Sequence, residues 1–349
     1  YYSIDARGTE REFLADVFDS PSELFGAVFR KGYEWPFDPR KCEGLSFDEN
    51  ARTYKIRPGG SSTVDLAVYA ERAAGRRVYM DFTRNPDGYL PAHLPSDARE
   101  YLQASGAAGG KTPFERLCAM NRRAVEFFAS HGVDLCTQPI EIDVCAQHNN
   151  GGFSVDVWYE STSLPGLYVI GEAAGVFGVT RPGGSALNST QVGALRAAQR
   201  IASRTTSPAA EPPSESRGAA LFDRLSSDGT HTLSAADILA RRAAGGELMS
   251  RSAAFLRDPK AIVDAAAAAR AELDAIEREI LVMRGDFDAL RELAIYYDTL
   301  ITRYVYLCAM GEYIARGGIS RGSYLIPGRP PGDDPLRNKI CRVTLTSLS

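Results

Sequence analysis

The stretch that most constrains the fold is Leu167-Tyr168-Val169-Ile170-Gly171, an unbroken apolar run between Pro165-Gly166 and Glu172. A short run with no polar alternation is the pattern of a strand covered on both faces, which a parallel α/β sheet provides. A glycine-rich loop follows, Gly175-Val176-Phe177-Gly178-Val179-Thr180-Arg181-Pro182-Gly183-Gly184. Then Ser185-Ala186-Leu187-Asn188 opens a helix carrying Val192, Leu195, Ala198 and Ile201. Strand, glycine loop and helix start together bind anions or electron-rich ligands. The first helical turn leaves its N–H groups unpaired, and the macrodipole puts about half a positive charge there. Gly183 and Gly184 let backbone come close to a flat ligand, because no Cβ stands in the way. Glu172 stands just past the strand, at the height where ligands sit in open α/β sheets, placed to accept hydrogen bonds from a sugar-like hydroxyl chain. Arg181 offers a planar double donor to a carboxylate.

On the N-terminal side, residues 1–137 read as a mixed α+β domain. Arg76-Arg77-Val78-Tyr79-Met80-Asp81-Phe82 alternates as a strand. Thr112, Pro113 and Glu115 form a helix start with N-cap, first-turn proline and capping box, and the pattern runs through Val125, Phe127 and Phe128 to a stop at Gly132. Residues 138–206 hold the α/β stretch, with Ile140–Val144 and Phe153–Trp158 expected as further strands. Residues 207–232, rich in Pro and Ser from Ser207 to Gly218, read as a linker. Residues 233–326 read as helices capped by Ser234, Asp258 and Asp286. One stripe runs through Ile262, Ala266, Ala269, Leu273, Ile276 and Ile280; another runs through Leu290, Leu293, Tyr297, Leu300, Tyr304 and Leu307. Stripes of this kind pack as an antiparallel bundle. Residues 327–349 are expected to be an irregular surface tail.

Charge and composition bound the function. The 349 residues carry 40 Lys+Arg against 44 Asp+Glu, a net of -4, which excludes a surface that is wholly a nucleic-acid footprint. No apolar run approaches the ~20 residues needed to cross a bilayer, and no charged-then-apolar leader opens the chain, so a cytoplasmic protein is expected. The six cysteines form no C-x-x-C pair and read as reduced thiols, and the four histidines are scattered, so no metal is expected. The chain opens Tyr1-Tyr2-Ser3 without Met, and no Gly-x-Gly-x-x-Gly follows a strand. A piece of a longer protein is the expectation.

Three segments in order carry a resemblance: Gln147-His148-Asn149-Asn150-Gly151-Gly152, then Ser163-Leu164-Pro165-Gly166-Leu167-Tyr168-Val169-Ile170-Gly171-Glu172, then Arg181-Pro182-Gly183-Gly184-Ser185-Ala186-Leu187. They resemble the C-terminal part of the flavoprotein of the fumarate reductase/succinate dehydrogenase and aspartate oxidase family. Arg316-Gly317-Gly318-Ile319-Ser320-Arg321-Gly322 is similar to the segment closing that family's helical domain, with Ile319 in place of Glu. The resemblance implies a partial FAD-binding, Rossmann-like domain flanked by an α+β capping domain and a C-terminal antiparallel helical bundle. It implies FAD as cofactor, with Glu172 on the ribityl chain or ribose and Gly183, Gly184, Ser185, Ala186 and Leu187 against the flavin. Arg181 would hold a substrate carboxylate. Either Gln147 or His148 takes the family's substrate-histidine position, depending on the loop length.

The same resemblance implies hydride exchange between flavin N5 and a carbon beside a carboxylate or carbonyl. With no cysteine cluster ligands in the sequence, electrons are expected from a separate donor or from a preceding N-terminal part. Where the family's capping helix carries an Arg-Asp pair whose arginine donates the proton, this chain has Val64-Asp65. Plain fumarate is therefore not the expected substrate, and Arg57 or Tyr69 is the replacement candidate for proton transfer. Two rival readings stand beside this one: a flavin oxidase or amine-type dehydrogenase on the same scaffold, and a non-catalytic subunit-docking module.

Overall fold

The computed structural model describes residues 1–29, 47–48, 53–54, 62–145, 151–177, 185–204, 219–220, 223–228, 232–278, 280–320, 324–330, 332–336 and 339–344. The chain divides into two units, Tyr1–Cys145 with Ile319–Asp333, and Ala146–Gly318 with Asp334–Ser349.

In the first unit, β1 (Tyr2–Ile4) pairs antiparallel with β2 (Glu10–Arg11), and α1 spans Pro21–Phe29. A short antiparallel pair, β3 (Phe47–Asp48) and β4 (Thr53–Tyr54), precedes α2 (Ser62–Ala73). The strand expected around Val78 forms as β5 (Arg77–Met80) and lies between β1 and the later β6 (Ile140–Ile142), with Val78 opposite Ser3 and Ile142. The apolar side of α2 explains this packing. Val64, Ala67 and Val68 bury against Val78, Phe13, Leu14 and Ala27 in one cluster. A second cluster joins Phe25 of α1 to Ala98 and Leu102 of α3 (Ser96–Ala104).

One polar network is built into this unit. Glu71 of α2, 5% exposed, accepts from Ser3 Oγ at 2.5 Å, pairs with Arg11, and meets Arg76 Nε at 3.0 Å. Burial opposes the charge on Glu71, but hydrogen bonds from Arg11 and Ser3 and the charges of Arg11 and Arg76 hold its pKa below the ordinary value of 4.5.

The helix starting at Thr112 forms with the expected cap, Thr112 Oγ1 accepting from Glu115 N at 3.2 Å. The Glu115 carboxylate reaches back one residue further than a capping box requires and accepts from Lys111 N at 2.7 Å. The expected single helix is two: α4 (Pro113–Met120) and α5 (Arg122–Ser130), broken where Asn121 accepts from Ala124 N and caps the second. Gly132 follows with φ +78, the left-handed stop that glycine permits.

In the second unit the apolar run 167–171 is not a strand covered on both faces. It makes one isolated antiparallel bridge, Glu160↔Tyr168, and its burial is mixed: Leu167 and Ile170 are exposed while Val169 is buried. Phe153–Trp158, also expected as a strand, makes only the bridge Val155↔Ser161. A strand inside a parallel sheet needs neighbours on both edges, and among the described residues this segment has one only, residues 159–161, with Val169 N donating to Tyr159 O at 2.9 Å and Ser161 N to Leu167 O at 2.8 Å. Likewise α6 (Ser185–Ser203) leaves Val192, Leu195 and Ile201 exposed, and it packs instead through Gly193 and Ala197.

The bundle follows its caps. Ser234 and Asp237 form a reciprocal capping box at α7 (Ala235–Ala253), Asp258 Oδ1 accepts from Ala261 N at 2.8 Å at the start of α8 (Pro259–Arg278), and Asp286 accepts from Ala289 N at α9 (Phe287–Ala315). The short strand β7 (Ser226–Ser227) runs parallel to β8 (Val282–Met283). The buried seam of α9 is Leu293, Tyr296, Leu300, Arg303 and Leu307, displaced from the expected Tyr297 and Tyr304. Arg303 can lie inside because Glu272 of α8 pairs with it and Gly245 of α7 makes room; a Cβ there would overlap the guanidinium. Burial, with Glu272 beside it, pushes the Tyr296 phenol up to about 12. Among the described residues no helix is long and apolar enough to cross a membrane.

Candidate functional site

Gly151, Gly152, the residues up to Glu172 and helix α6 meet around one turn in the second unit. Gly171 adopts φ +68, and Gly171–Ala173 forms a single 3₁₀ turn that carries Glu172. At Gly171 an added Cβ would stand 3.4 Å from Thr190 Cγ2, so the turn lies close against α6. The next turn closes by Gly175 N donating to Glu172 O at 3.0 Å. Gly175 has φ +65, and a Cβ on it would come 2.6 Å from Gly152 N. A Cβ on Gly152 would overlap the Ala173 carbonyl, and Phe153 N donates to that same oxygen at 2.8 Å. Two glycines are therefore required here by backbone contact, which explains why Gly152 and Gly175 face each other across the bridge Gly152↔Ala174.

Two further features hold the turn in place. Tyr159, with φ +64, presses its ring on Gly193 of α6 within a cluster with Val169, Ala174 and Ala197. Glu160, 9% exposed, pairs with Arg204 just past α6 and accepts from Gly166 N at 2.8 Å; these hydrogen bonds lower its pKa. On the opposite side, Tyr306 of α9 donates to Gly151 O at 2.9 Å. Burial raises the Tyr306 pKa and the Glu172 charge raises it further. Tyr306 also lines a cavity of about 560 Å³ between α7 and α9, with Leu239, Met249, Leu300 and Arg303 among its walls.

Of the sequence candidates, Glu172 is half-buried on the turn beside α6. Ser185 begins α6, Ala186 follows half-buried, and Leu187 is 71% exposed. Gln147, His148, Arg181, Gly183 and Gly184 lie outside the described residues, as does Arg57. Tyr69 lies half-buried in α2, and Val64 is fully buried. Sequence reasoning missed Tyr306 and the Glu160–Arg204 pair. Tyr306 sits in a helix whose apolar stripe hides it, and its partner is 155 residues away.

No family model matches the chain. It is 35% identical over 136 residues to a subunit of the fumarate reductase (CoM/CoB) from Methanothermobacter marburgensis, a match covering 38% of this chain and 20% of that protein. It is 29% identical over 196 residues to L-aspartate oxidase of Streptomyces coelicolor, covering 50% of this chain and 31% of that protein. A solved structure of quinol-fumarate reductase with menaquinol molecules superposes with a TM-score of 0.53 at 16% identity, over 93% of this chain and 50% of that one, a likeness of fold. The chain thus spans between 20% and 31% of the length of these two curated relatives. The class these relatives define is an oxidoreductase family. Over part of its length the chain is similar to fumarate reductase and L-aspartate oxidase proteins.

Proposed function

We propose that this chain supplies part of the flavin and substrate sites of an FAD-dependent oxidoreductase acting on a carbon next to a carboxylate or carbonyl. The observation that carries the reading is Glu172, half-buried on a single turn set against α6 by Gly171. A carboxylate held there suits the hydroxyls of an FAD ribityl chain or ribose, and the start of the 19-residue α6 favours an electron-rich ring edge. The residues present therefore fit the cofactor. When bound, FAD supplies hydride exchange at its N5.

The chain's own residues do the rest. Gly183, Gly184, Ser185, Ala186 and Leu187 offer backbone to the ring. Arg181 clamps the substrate carboxylate or carbonyl and polarises it, which supplies orientation and charge stabilisation. Gln147 or His148 holds the other polar end of the substrate. Val64 stands where the resembling family's capping helix carries its proton-donating arginine, so in this reading the proton moves through Arg57 or Tyr69 and the substrate is one other than plain fumarate. Electrons come from a separate donor.

The test is made on the intact polypeptide. It should purify with the visible absorption of bound flavin, and Arg181→Lys should retain that flavin while turnover falls on the order of a hundredfold. A colourless protein would overturn the cofactor, and unchanged turnover would overturn the role of Arg181.

A further inference from the structure

Tyr306 belongs to the bundle, yet it closes on the turn that carries Glu172. Its hydroxyl donates to Gly151 O at 2.9 Å. Its ring occupies the space beside the Gly151 Cα: a Cβ there would stand 3.0 Å from Tyr306 Cε1 and 3.3 Å from its hydroxyl oxygen. The neighbouring Gly152 is locked from the other direction by Ala173 and Gly175. The glycine pair is thereby gripped between a ring contributed by α9 and the backbone of residues 173–175. Glu172 is close enough to act on the phenol, and burial together with that charge keeps Tyr306 protonated and able to donate.

We propose that Tyr306 is a positioning residue, its hydroxyl fixing the Gly151–Gly152 backbone against the Glu172 turn and so setting how tightly the FAD is held. The inference rests on the reading of Glu172 as a cofactor-holding group. A phenylalanine would fill the same volume, so the hydroxyl's contribution is separable from the ring's. Losing one oriented donor to a carbonyl is expected to weaken retention about three- to tenfold, the range of a single hydrogen bond.

The experiment compares wild type, Tyr306→Phe, Gly151→Ala and the double variant in the intact protein. The readouts are FAD Kd from titration of the apoprotein, the visible flavin spectrum and Tm. Expected are a raised Kd and a shifted spectrum in each single variant, with the double variant no worse than the larger single effect, because both act on one contact. A lowered Tm with Kd and spectrum unchanged would make Tyr306 a bundle contact only and overturn the inference. Wild type without flavin is a different result: it overturns the cofactor reading, and this inference with it. Should Tyr306→Phe fail to fold, Gly151→Ala decides alone, an unchanged Kd counting against the inference.

Discussion

At the residue scale, two charges that the chain sets inside are met by partners. Glu71 is buried but takes a hydroxyl and two guanidinium groups, and Arg303 is buried but takes Glu272. Replacing Glu71 by Ala removes the buried acceptor shared by Ser3, Arg11 and Arg76 and should cost about 2–3 kcal/mol in urea denaturation. The pH dependence follows from the sign of the shift. The folded-state pKa of Glu71 lies below the 4.5 of the free side chain, so the unfolded chain binds the proton more readily. The stabilisation is complete above that ordinary value and is lost as pH falls through the depressed one. Wild type should lose stability on acidification below 4.5 more steeply than Glu71→Gln, which has no proton to take up there.

At the element scale, what could be read from sequence was the local chemistry. Thr112, Ser234, Asp258 and Asp286 each cap the helix expected of them, because a cap is a bond between neighbours three residues apart. Ser234→Ala removes one arm of its capping box and should lower stability by about 1 kcal/mol, checked by thermal or denaturant unfolding. The strand expected at 167–171 fails for the opposite reason: strands are made by their edges, and composition alone cannot supply a neighbour. The α9 seam shifts by one residue at Tyr296 and Arg303 because Gly245 and Glu272, on two other helices, prepare room and countercharge. Within the candidate site, Glu172 and its glycines carried a readable signal through spacing, whereas Tyr306 is joined to Gly151 only by the folded path of the bundle.

At the scale of the whole molecule, α6 turns an apolar flank outward: Leu187, Val192, Leu195 and Ile201 are 49–71% exposed. Leu195→Lys combined with Ile201→Lys should leave Tm unchanged in thermal unfolding, because both side chains are more than half exposed. A fall in Tm would show that these side chains support the unit's own core. The first unit takes back Ile319–Asp333, and within that return Tyr324, Leu325 and Ile326 are buried. A ribosome delivers those three side chains long after residues 1–145 have emerged, so that unit must wait, incomplete and open to chaperones, until synthesis has passed through the entire bundle.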